Sequence, residues 1–230
     1  MRRFWTTVEL AETGSAFGIL LDGRPVKTPA REALVVPTRA LGEAIADEWR
    51  GCGEEIEPRA MPLTGLANAA IDRVAPDREK FAEGLARYAE ADLFCYRAEG
   101  PPSLAERQAA SWDPLLSWAR RRFDVDFACR AGIVHIPQPD ATVKRLAVAL
   151  AALDPFRLAA MAPLITIGGS LVAALALVEE AIPVDTLWDA VSLDERWQLE
   201  KWGADAESEA ALHLRRADFL EAARFAALLG

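Results

Sequence analysis

Twenty consecutive residues, "AAMAPLITIGGSLVAALALV" from Ala159 to Val178, carry no charge, and they set the first constraint on the fold. A run of this kind is long enough for a bilayer, which needs about 20 apolar residues. Pro163 and the Gly168-Gly169 pair interrupt it, however, and weakly apolar alanine supplies much of the rest. A helix that starts near Gly169 and is apolar on all sides belongs inside protein. The expectation is a helical core and no membrane insertion.

The amino-terminal part has a different period. "FWTTVEL", the turn-like "ETGS" and "AFGILLDG" read as two strands and their connection. Asp22-Gly23 is a hairpin signal, because the turn needs positive φ and glycine adopts it freely. "RPVKTP" and "ALVVP" read as short further strands, each punctuated by proline as edges and ends are. Together they predict a small antiparallel meander. In "TRALGEAIADEW" the period becomes helical: Leu41, Ile45 and Trp49 recur at four-residue spacing, and Thr38 is placed to cap the first turn. "MPLTGLANAAIDRV" predicts another helix.

Beyond "APDRE" nearly everything reads as helix: Arg78 to Tyr96, Ser103 to Phe123, Ala141 to Leu153, the buried stretch after Gly169, Pro183 to Val191, "SLDERWQLEKWG", and Ala206 to Leu229. "RAEGPPS" and "VHIPQPD" are loops by their proline and glycine content. The fold class is therefore α+β. A small β-rich domain with a helix, residues 1–75, precedes a larger all-helical domain, residues 76–230.

Charge and cysteine usage remove several function classes. The net charge is -9, whereas nucleic-acid binding needs a basic footprint, and Arg120-Arg121-Arg122 is the one dense basic run. Cys52, Cys95 and Cys129 are odd in number, widely spaced and without CxxC, which argues against a disulfide framework and a zinc site. A reducing compartment fits. "MRRFWTTVEL" has neither the apolar segment of a secretory signal nor the long basic segment of a transit peptide. A bacterial cytoplasm, or a chain already processed, is the expectation.

No catalytic pattern stands out. HExxH, GxSxG, a Walker loop and GxGxxG are all missing. His135 and His213 lie in apolar or alanine-rich surroundings that suit structural roles. "GGS" at Gly168 to Ser170 lacks the lysine and spaced glycines of a phosphate loop. Acid clusters in "GEEIE", "DEW" and "LDER" leave open a carboxylate-based hydrolase as an alternative, since such chemistry needs two carboxyls across a cleft.

"SLDERWQLEKWG", Ser192 to Gly203, is the most informative segment. Ser192 and Glu195 form the S-x-x-E pattern of a capping box. At 100° per residue Glu195, Leu199 and Trp202 share one helix face with Gln198 at its margin, while Leu193, Trp197 and Glu200 share another. One tryptophan is then core, and the other sits among hydrogen-bonding groups, as at protein–protein hot spots. This composition suggests a binding surface more than a catalyst.

"RRFW", "LDGRPVKTP", "IADEW", "MPLTGLANAAID", "DLFCYRAE", "WDPLLSW" and "LDERWQLEKWG" occur in an order and spacing that resembles one family. It is the ATP synthase F₁ assembly chaperones acting on the α subunit, of the assembly-factor-two type, and this chain resembles a bacterial member. The resemblance covers nearly the whole chain. It implies a protein that is not an enzyme and needs no cofactor or metal. Such a protein binds the unassembled F₁ α subunit and shields its β-facing surface until the ring forms. The family's functional acids fall in "LDERWQLEKWG", which carries that role to Glu195 first and Glu200 second, with Gln198 and Trp202 as neighbours. Trp49, in "DEW", matches another signature position, although on the residues alone it is a core anchor. The chain departs from the family at Cys52, where members often carry glutamine, so a polar contact there is not carried over. Eukaryotic relatives are expected in the mitochondrial matrix.

Overall fold

The structure, a computed structural model, describes residues 2–203 and 205–230, which divide into two compact units. One holds the chain up to Arg78 together with Asp154–Ala160 and Glu221–Gly230; the other holds Glu79–Leu153 and Met161–Leu220.

In the first unit β1 (Val8–Thr13) and β2 (Ala16–Leu21) form an antiparallel hairpin, in register from Val8 opposite Leu21 to Thr13 opposite Ala16. Asp22 and Gly23 both take positive φ and turn the chain into β3 (Arg24–Pro25). The Asp22 carboxylate accepts the Thr6 and Thr7 N–H groups at 3.0 and 2.8 Å. These backbone donors, Thr7 first, hold its carboxyl down at about 2. β4 (Val35–Val36) returns to β2, pairing Val36 with Phe17, so the sheet is not a simple meander. β2 bonds β3 near one end and β4 near the other.

Helix α1 (Arg39–Gly51) starts where Thr38 Oγ1 accepts the Leu41 N–H, as its cap position predicts. Leu41 and Ile45 are fully buried. Gly42 lets α1 approach the sheet closely: a Cβ there would lie 3.2 Å from Phe17 Cβ and would push the Leu10 methyl aside. α2 (Pro62–Ala69) follows and widens into a single π turn over Ala70–Val74. The core gathers Trp5, Ile19, Leu21, Leu34, Leu41, Ile45 and Leu63 with Phe225 and Leu229 from the chain's end. Removing such side chains from water is the main stabilising term, about 1.5–3 kcal/mol for each large one.

The second unit is mostly helical. The helix expected from Arg78 to Tyr96 is shorter: α3 (Arg78–Ala86) passes into 3₁₀ turns, and β5 (Tyr96–Arg97) follows. The cause is Asp92, whose extended backbone and carboxylate bond to Phe94 N–H start a new turn. Then come α4 (Pro102–Phe123), β6 (Arg130–Ala131), α5 (Asp140–Ala151), α6 (Pro155–Gly168) and α7 (Leu171–Val178). α8 (Val184–Val191), α9 (Leu193–Trp202) and α10 (Ala206–Ala227) complete the chain. β6 pairs with β5 in parallel.

The uncharged run is therefore two helices. Gly169, at φ 67°, breaks it, and Ser170 caps α7 by accepting the Ala173 N–H at 3.0 Å. Buried Asp92 completes the cap, accepting the Ser170 hydroxyl and the Val172 N–H, each at 3.0 Å. Leu171 through Ala176 are all buried in protein. No helix among the described residues is long and apolar enough to cross a membrane.

Candidate partner-binding surface

Helix α9 is held from below by α4. Gln108, 1% exposed, donates from Nε2 to Asp194 at 2.7 Å, and Arg107 reaches Glu200 at 2.7 Å. Trp112 Nε1 donates to the Ala190 carbonyl at 2.8 Å, fixing the end of α8 that leads into α9. Trp197 supplies the apolar anchor at 6% exposure. Gly203, at φ 85°, ends the helix, and its N–H reaches Leu199 O at 3.1 Å.

The expected capping box is absent. The Ser192 side chain makes no cap bond and instead donates to Trp188 O at 2.7 Å, one turn back. The reason is continuity: α8 ends at Val191 and α9 begins at Leu193, so the Ser192 hydroxyl finds a carbonyl of the preceding turn first. Glu195 is thereby released from capping. Its carboxylate pairs with Arg215 of α10.

Trp202 stands out at 74% exposure. Its ring meets Trp197 edge to face, with centroids 5.6 Å apart at 88°. Trp202, Glu195, Gln198 and Leu199 line one side of a concavity of about 410 Å³. Ser208, Ala211, Leu212 and Arg215 line the other side. These four recur at i, i+3, i+4 and i+7, so they form one stripe of α10. Arg215 is the residue that reading α9 alone misses, and that stripe is the signal that could have found it.

The structure thus brings Glu195, Gln198 and Trp202 together. Glu200 lies elsewhere, lining a second concavity with Arg107, Ala110, Ser111, Asp189, Leu193 and Arg196. The Arg107 hydrogen bond holds its carboxyl below the usual carboxylate range. Trp49 belongs to the other unit. It is partly buried against the core, with its ring 5.2 Å from Trp5.

Two of the clustered acids are engaged in structure, while Glu54, Glu55 and Glu57 of "GEEIE" line a concavity with Cys52 and Met61. Glu48 of "DEW" accepts Leu63 N–H at 2.7 Å and Thr64 N–H at 2.8 Å, capping α2. Desolvation by burial raises its carboxyl above the normal value against the pull of those donors. Asp194 of "LDER" is likewise raised by burial, and Gln108 opposes the rise. Among the described residues no group of three or more His, Cys, Asp or Glu gathers as a metal site.

Comparison with known proteins shows what this chain is similar to. Residues 2–120, just over half of the chain, match the family model described as ATP12 chaperone protein. The crystal structure of Atp12 from Paracoccus denitrificans is similar over 100% of this chain and 98% of its own, with a TM-score of 0.94 at 39% identity. A protein from Agrobacterium tumefaciens superposes with a TM-score of 0.94 at 36% identity, over 100% of this chain and 86% of its own. The Schizosaccharomyces pombe protein named atp12, mitochondrial, is 25% identical over 215 residues, which span 88% of this chain and 74% of that protein.

Proposed function

The chain belongs to the ATP12 chaperone family, and from that premise we propose that it is an assembly chaperone of the ATP synthase. Its client in this reading is the unassembled α subunit of the F₁ head, whose β-facing surface it shields until the ring forms. The family is one of chaperones, and the chain works by binding, not as an enzyme.

The observation that carries the reading is Trp202, a large apolar side chain 74% exposed at the rim of a concavity that also holds Glu195 and Gln198. An exposed indole beside hydrogen-bonding groups is the composition of an interface hot spot. The Glu195–Arg215 pair suits the role as well. Its side chains are 47% and 43% exposed, and such a surface pair stabilises a fold by only about 0–1 kcal/mol. A basic group on the client can therefore displace Arg215 at small cost. Affinity built from one aromatic anchor and exchangeable charges is moderate, which a chaperone needs in order to release its client. Unassembled subunits that expose apolar interfaces aggregate, so a transient cover has a clear physical use.

Co-expression with cognate F₁ α should raise the soluble yield of α and give a complex that co-purifies. Glu195→Lys should weaken that complex about tenfold or more while circular dichroism stays unchanged. An α subunit equally soluble with and without the chain, and no complex on gel filtration, would sink the proposal.

A further inference from the structure

Cys95 and Cys129 are 34 positions apart in sequence, yet the fold sets them side by side. β5 and β6 run parallel with Tyr96 opposite Arg130 and Arg97 opposite Ala131. Cys95 and Cys129 are the residues that immediately precede these two pairings, Cys95 at the end of the 3₁₀ turn that leads into β5. Neighbouring strands lie about 4.8 Å apart, and the two cysteines adjoin that pairing directly. That spacing falls inside the range of about 4.4–6.8 Å between Cα atoms that a disulfide requires. Both thiols are free, and they are near enough to shift one another's titration.

Their environments differ in a useful way. Cys95 is fully buried and Cys129 is exposed. Cys129 is held down to about 6, chiefly by the neighbouring Cys95 thiol and then by the Arg97 and Arg120 guanidinium groups. The neighbouring Cys129 thiol and burial keep Cys95 protonated. Cys52, by contrast, is raised by burial and packs its sulfur 3.5 Å from Met61 Sδ.

We propose that Cys95 and Cys129 form a reversible dithiol–disulfide pair oxidised by hydroperoxides, with Cys129 attacking and Cys95 resolving. The Cys129 thiolate attacks the terminal peroxide oxygen and the O–O bond breaks. Cys129 becomes a sulfenic acid, and the departing alkoxide or hydroxide takes a proton from water. The Cys95 sulfur then displaces the sulfenic hydroxyl, forming the S–S bond. The hydroxyl leaves as water with the Cys95 proton. Overall, two thiols and one hydroperoxide give one disulfide, one water and one alcohol, or a second water when the oxidant is hydrogen peroxide. A small dithiol reverses the step by exchange. The bond closes a loop that contains all of α4, the helix whose Arg107 and Gln108 hold α9.

The test treats the full chain with stoichiometric hydrogen peroxide at pH 7, blocks remaining thiols and digests with trypsin. Peptides 88–97 and 123–130 should appear joined, separate on reduction with dithiothreitol, and leave Cys52 alkylated. Without peroxide, iodoacetamide should label Cys129 about tenfold faster than Cys52. The gain in thiolate outweighs the accompanying fall in nucleophilicity. Cys95→Ser should stop the linkage and leave a sulfenic acid on Cys129 that dimedone traps. Should that variant not fold, Cys129→Ser at the exposed position must leave Cys95 unoxidised. Wild-type Cys129 passing to sulfinic acid without joined peptides, or both thiols surviving peroxide, would overturn the assignment.

Discussion

Gln108 of α4 donates from Nε2 to Asp194 of α9 at 2.7 Å, while its Oε1 accepts the Ala98 N–H at the same distance. One buried amide thus connects the segment after β5 to the helix that carries Trp202. Gln108→Leu keeps the shape but leaves the Ala98 N–H and the Asp194 carboxylate without this partner. Unpaired buried polar groups cost about 1–3 kcal/mol each. The variant should unfold at lower urea with a loss of about 2–3 kcal/mol. An unchanged midpoint would mean that water replaces the amide.

Glu48 makes a similar connection in the first unit. Three donors converge on its carboxylate: the Leu63 and Thr64 N–H groups and the Thr64 hydroxyl at 2.6 Å. Hydrogen bonds to charged acceptors contribute about 1.5–3 kcal/mol. Glu48→Ala should therefore destabilise the chain by about 2 kcal/mol in urea, and Glu48→Gln by less, since one acceptor oxygen remains. Equal losses in the two variants would show that the side-chain stem, not the carboxylate, is what matters.

Much of this was legible in the sequence, and the limits have physical causes. Thr38, Asp22-Gly23 and the Leu41/Ile45 stripe are local signals, and the structure reproduces them because cap, turn and period act over a few residues. The division of labour between Trp197 and Trp202 was also readable, because helical spacing alone separates the two faces. The capping box failed for want of tertiary information: an S-x-x-E pattern cannot show that α8 leaves a carbonyl one turn behind Ser192. α6 was not anticipated, because Pro163 reads as a breaker although the helix runs through it. The parallel pairing of β5 with β6 joins residues far apart in sequence, and periodicity carries no such pairing; the stripe of α10 marks the face that holds Arg215 but not that Glu195 meets it.

Asp92 gives a pH dependence of definite sign. Its carboxyl is fully buried, and desolvation pushes it up to about 6 against the bonds from Val172, Ser170 and Phe94. The unfolded value is lower, so between the two the folded state binds more protons. The stabilisation is present below the unfolded value and is lost as pH rises through about 6. From pH 5 to pH 7 this group should lower stability by about 1 kcal/mol. Asp92→Asn cannot titrate, and it should lack that component while being less stable throughout, because its amide N–H₂ confronts donors. Guanidinium denaturation of both proteins at the two pH values measures the difference. Identical slopes would show that Asp92 does not titrate in this window.

The two tryptophans of α9 should separate folding from binding. Trp197 is buried, so Trp197→Ala opens a cavity and should cost about 3–5 kcal/mol of stability. Trp202 is mostly in water and offers little of its surface to the fold beyond its edge contact with Trp197. An aromatic pair of this kind contributes about 0.5–1.5 kcal/mol. Trp202→Ala should shift the urea midpoint by no more than that. If Trp202 is the anchor for F₁ α, the same change removes a hot-spot contact worth about 2 kcal/mol or more. Affinity for α, followed by titration calorimetry, should then fall at least about thirtyfold. Trp202→Phe keeps an aromatic face and should recover part of the loss. A Trp202→Ala protein that binds α as tightly as the parent would remove the indole from the interface, whatever happens at Glu195.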